Sequence, residues 1–135
     1  MRNVLATLTG IICAALITFG FEMIGAFLFP LPEGSKPMDA EWLKDNIHLI
    51  PLGAMVLVVF AHALGLVFGM YIASIIAKNS LTPTYIVAAF MSLSTIANLF
   101  MIPHPNWFIA CDVTGIIIGY ILGLKLSKSK LKSTH

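Results

Sequence analysis

Charged side chains are scarce in this chain. Only 10% of its 135 residues are Asp, Glu, Lys or Arg, against about 25% in a soluble domain. With 59% hydrophobic residues, a soluble fold of this size would expose far more apolar surface than so few charges can solvate, and lipid is the natural solvent for it. The net charge of +2 excludes a strongly basic nucleic-acid binder. The lysines gather at one end, as Lys125, Lys128, Lys130 and Lys132, beside an apolar run. That placement marks a membrane edge facing anionic lipid, so no nucleic-acid partner is expected. Cysteine is nearly missing too. Cys13 and Cys111 lie inside apolar runs, in opposite leaflets of the topology below, too far apart to bridge, and read as small packing residues.

Chemical motifs are equally sparse. Ser92, Ser94 and Thr95 are hydroxyls within an apolar run, but no base marks one as activated, and such groups ordinarily bond the preceding helical turn. His48, His62, His104, Glu22 and Asp112 are all metal-ligand types, yet no two stand at the i, i+3 or i, i+4 spacing of a chelating pair. The expectation is no enzyme, no metal and no cofactor, with a membrane enzyme working at the outer leaflet through His48, His104 and Asp112 as a distant third reading. The length leaves room for one unit, 1–135, without a second domain.

What is present is four long apolar runs, at about 4–29, 49–77, 81–102 and 107–126. Each reaches the roughly 20 residues that span a bilayer core, and each must be helical because lipid offers no partner to an unpaired backbone group. The predicted fold class is therefore all-α, a polytopic four-helix transmembrane bundle. The first run exceeds the 7–15 apolar residues of a signal peptide and has no small-x-small cleavage site, so it reads as a retained helix. Pro30 and Pro32 end the first run, Lys78-Asn79-Ser80 divides the second from the third, Pro83 suits a first helical turn, and Pro103 and Pro105 end the third. Asn106 is the expected N-cap of the fourth.

If the spans alternate, Arg2, Lys78 and the terminal lysines share one side. The loop 31–48, with Glu33, Asp39, Glu41 and Asp45 against Lys36 and Lys44, takes the other. The positive-inside rule then places both termini, including a basic tail at 127–135, in the cytoplasm. The short loops favour a bacterial inner membrane. Trp42 and Trp107 fall at the opposite boundary, as an aromatic belt requires. Asp39 to Ile47 is predicted to form a short interfacial helix with Met38, Trp42 and, at its end, Ile47 toward the membrane.

The two halves share a pattern. Each has a helix ending in Pro-x-Pro, followed by a helix with a ladder of small residues: Ala61, Gly65, Gly69, Ala73 and Ala77 in the second span, Cys111, Gly115, Gly119, Gly123 and Ser127 in the fourth. A spacing of four puts each ladder on one face, where two backbones can approach closely. The ladders can pack against each other in parallel or serve a homodimer. Besides lipid, the expected partner is a second copy or another membrane protein. The direction of the halves makes any repeat a parallel one, unlike the inverted repeats of many transporters.

Ionisable residues inside a membrane are costly and by default point to function. Glu22, His62 and Asp112, with Asn98 as polar companion, come from four different spans and count out to similar depths, which predicts a shared polar layer. A His62–Asp112 pair is expected, with Asp112 favouring the charged imidazole and burial opposing it. Glu22 left alone in lipid would hold its proton. Such a layer can pass protons, the chemistry of a proton- or cation-linked permease or channel. The alternative is an accessory or assembly subunit whose polar residues fix helix register. Glu22, the run Phe29-Pro30-Leu31-Pro32-Glu33-Gly34, then Pro51, Gly65, Gly69 and Ile102-Pro103-His104-Pro105 with Trp107 together resemble short four-span bacterial membrane proteins of unassigned function. That resemblance implies a fold and carries no activity.

Overall fold

Four helices are long and apolar enough to cross a membrane: α1 (Arg2–Leu28), α3 (Leu52–Ala77), α4 (Thr82–Met101) and α5 (Asn106–Lys132). A short α2 (Ala40–Asn46) and a 3-10 turn at Ile47–Leu49 lie between α1 and α3. The computed structural model describes residues 1–37 and 39–132; Met38 and residues 133–135 lie outside that range. The chain is an all-helical, multi-pass membrane bundle. Its outward faces are apolar, with Leu8, Ile12, Leu16, Phe19 and Phe27 of α1 and Ile117, Ile118 and Ile121 of α5 all exposed, a surface that only lipid solvates.

The helix ends follow local chemistry. Pro30 and Pro32 follow the end of α1, where the Phe29 N–H bonds the Gly25 carbonyl. Pro32 to Ser35 form a turn closed by the Ser35 N–H on the Pro32 carbonyl, with Gly34 at φ 84°, the left-handed third position a type II turn requires. The Asp39 carboxylate caps α2, accepting from the Glu41 and Trp42 N–H groups at 3.0 and 3.2 Å. Pro83 sits in the first turn of α4. Asn106 differs from expectation: it is the first residue of α5, and the Pro105 carbonyl accepts the first helical bond, from the Ile109 N–H. The basic segment beyond residue 126 is not a separate tail, since α5 continues to Lys132.

Helix α3 is the hub and touches α1, α4 and α5. Besides one side-chain pair with α5, side chains of its neighbours bond its backbone: Thr18 Oγ1 of α1 donates to the Ala61 carbonyl, and Thr84 of α4 and Ser127 of α5 both donate to the Met70 carbonyl. Arg2 closes the terminal end, its Nε donating to the Ala77 carbonyl at 3.1 Å. Ala14, Leu66, Met70, Ala73, Val87, Ala88 and Met91 form the core between α1, α3 and α4.

The small-residue ladders pack inside the chain but not against each other. A methyl group on Gly69 would stand 2.8 Å from the Gly10 carbonyl oxygen and 2.8 Å from the Ala14 methyl, so the α3 ladder faces antiparallel α1. The α5 ladder faces another side of α3: the same construction on Gly119 meets the Ala63 carbonyl at 2.9 Å, and on Gly123 the Met70 sulfur at 2.7 Å. Packing does not repeat between the halves either, because α1 and α3 lie together along their lengths whereas α4 and α5 barely touch.

Candidate functional site

His62 and Asp112 meet where α3 and α5 run side by side. The His62 Nδ1 lies 2.9 Å from Asp112 Oδ1 and 3.1 Å from Oδ2. Asp112 is fully buried and His62 is 7% exposed. The carboxylate orients the ring with the Nδ1–H toward α5, which leaves Nε2 as the nitrogen able to accept or release a proton. That nitrogen has no partner among the described residues. The pair is positioned by the close α3–α5 approach at Gly115, whose added methyl would touch Val59 at 3.3 Å. One helical turn before Asp112 on α5, toward the loop end, Phe108 is also buried.

Asn98 does not join this pair. Its Oδ1 accepts from His104 Nε2 at 2.9 Å, across the break between α4 and α5. The His104 ring stacks on Phe108 with centroids 4.4 Å apart, and Trp107 meets Phe108 edge-on at 5.9 Å. With Nε2–H donating to Asn98, neutral His104 carries its lone pair on Nδ1, and that atom is buried without a partner among the described residues. Burial holds the His104 pKa below the usual imidazole value; the Asp112 charge opposes this and His62 adds to it. His104 is therefore electrostatically linked to the pair beneath it.

Glu22 stands apart. It is exposed on α1 and makes no hydrogen bond or ion pair among the described residues, though His62 lies within electrostatic reach. It lines a cavity of about 340 Å³ between the end of α1, the 31–37 loop and the start of α3. The structure thus brings together His62 and Asp112, pairs Asn98 with His104, and leaves Glu22 alone in a separate opening. His104 was not among the four residues of the expected polar layer. Pro103 and Pro105 on either side keep it out of both helices, and its ring is held by Asn98 and Phe108. His48 is exposed in the middle of the short 3-10 turn, and no group of three His, Cys, Asp or Glu among the described residues could hold a metal ion. Comparison with protein-family models, curated proteins and solved structures finds no match to this chain.

Proposed function

We propose that this chain is a small proton- or cation-linked permease or channel-like protein of a bacterial inner membrane, with both termini cytoplasmic, and that His62 and Asp112 carry the proton. The observation behind this reading is the enclosed His62–Asp112 bond. An ionisable pair inside a bundle is costly to keep, and this one leaves the imidazole Nε2 unpartnered and ready for exchange. Glu22 is the second exchangeable group, facing its own opening and coupled to His62 through their charges. Asn98 and His104 serve as the cover, holding Phe108 over Asp112.

The test is flux in liposomes that enclose a pH-sensitive dye. Wild type dissipates an imposed proton gradient faster than protein-free vesicles, and Asp112→Asn slows this at least ten-fold at unchanged incorporation. Equal rates in wild type and empty vesicles would refute transport. They would favour the alternative, an assembly subunit, which has its own support: the pair bridges α3 to α5, as a register-fixing staple does. Reporter fusions at either end check the orientation. The proposed one requires a C-terminal fluorescent protein to be active and a C-terminal alkaline phosphatase to be silent.

A further inference from the structure

The cavity beside Glu22 lies apart from the His62–Asp112 pair, whose residues do not line it. It lies at the loop end of the bundle, walled by Phe29, Pro32, Ile50, Pro51 and Val58. Glu22 is the only ionisable side chain among its described lining residues. Its position, six residues before the end of α1, sets it about 9 Å inside the helix terminus. The Phe29 ring packs directly over Gly53, the position of α3 with no side chain to displace it. The volume of about 340 Å³ falls in the range of small-molecule sites, about 300–1,000 Å³.

We propose that this cavity binds a small amphipathic organic cation, an amine or quaternary ammonium with an apolar body. An unpaired carboxylate in an apolar setting is stabilised by an incoming cation, and the walls and the Phe29 face reward an apolar, positively charged guest. An inorganic divalent ion needs several oxygen ligands, which one carboxylate and Ser35 do not supply. A zwitterionic phospholipid would bring a phosphate, and no Lys or Arg lines the cavity to receive it. Proton and cation compete for the same carboxylate: binding to the protonated form releases one proton and leaves the ion pair Glu22–COO⁻·cation. The inference adds a substrate class to the proposed permease and rests on that reading only for the claim that the guest is carried.

Binding of radiolabelled benzyltrimethylammonium to the full chain in a neutral maltoside detergent tests this directly. Wild type binds saturably at one site, and affinity falls as pH is lowered from about 8 to about 5, through the carboxyl range. Glu22→Gln weakens binding at least ten-fold, Ala54→Phe fills the cavity and blocks it, and Glu33→Gln, an equal charge loss outside the lining, changes affinity less than two-fold. The wild-type pH series and Ala54→Phe keep the test decisive should Glu22→Gln fail to fold. Unchanged affinity in Glu22→Gln overturns the proposal. So does equal binding of the neutral isostere neopentylbenzene, and so does loss of binding when phosphatidylethanolamine is added, which would make the cavity a lipid seat. Binding without flux removes the permease reading and leaves this one standing; flux without Glu22-dependent binding does the reverse.

Discussion

Removing the charge of Asp112 separates two uses of one bond. Asparagine keeps the shape and an acceptor for His62 but lifts the burden of holding a carboxylate in a fully buried position. If the pair exists for proton transfer, its charge is kept against stability, and Asp112→Asn melts at or above wild type in detergent. His62→Leu strands the carboxylate and melts lower. Completed with the double mutant, the cycle is expected to show coupling near 0.6 kcal/mol, the usual size for intramembrane polar pairs; a loss in Asp112→Asn with coupling near the ceiling of about 1.7 kcal/mol would mark a staple instead. His104 gives a second prediction. Its pKa is lowered by burial, so the folded state favours the neutral ring and the unfolded chain binds more protons. Stability therefore rises with pH: the contribution is complete above the ordinary imidazole value of about 6.5 and is lost as pH falls from there through the lower folded value. Thermal melts at about pH 7.5 and about pH 5.5 should show a larger drop for wild type than for His104→Gln.

At the scale of the element, helix ends were the most legible feature of the sequence. Pro30, Pro32, Pro83, Pro103 and Pro105 act on their own backbone, and all five punctuate helices as expected. The short helix after Asp39 was legible for the same reason, because an Asx cap is local. The backbone of Lys78 was not. It ends α3 at φ 65° and ψ −51°, with the Asn79 N–H bonded to the Ala77 carbonyl at 2.8 Å, a three-residue γ-turn with positive φ. Nothing about lysine announces that conformation, and Asn79 beside it would accept it more readily. The strain makes a prediction: Lys78→Gly relieves about 1–3 kcal/mol of native-state cost against about 0.5–1 kcal/mol of added chain entropy. A net gain of about 1 kcal/mol in detergent unfolding is expected, and a loss would show that the turn is unstrained.

For the whole molecule, the number of spanning helices was legible in the sequence but not which faces meet. The Gly65 and Gly69 ladder was read as a contact for α5 or for a second copy, and it lies on α1. Periodicity defines a face and says nothing about its partner, because Gly10 and Ala14 on α1 offer an equally small surface. The site was partly legible on the same logic: His62 and Asp112 meet because equal depth on adjacent helices permits it, whereas Asn98 found His104 through a loop whose path no periodicity encodes. Since both ladders are used internally, any oligomer must employ another face. Gly69→Leu, forced against the Gly10 backbone, should destabilise by about 1–3 kcal/mol while light scattering reports an unchanged mass. Gly20→Ala, with nothing within 4 Å of the added carbon, should not destabilise. A mass change without loss of stability in Gly69→Leu would return the ladder to an intermolecular role.

The hub position of α3 also bears on biogenesis. It follows α1 in the chain, and its most extensive interface is with that helix, so the α1–α3 hairpin can form before α4 or α5 has been translated. The early hairpin presents the Met70 carbonyl as a waiting acceptor, which Thr84 and later Ser127 reach in the order of their synthesis. Assembly can thus run from the first helix to the last without reopening a contact already made, and α5, bound mainly to α3, could be delivered to that hairpin as a separate polypeptide.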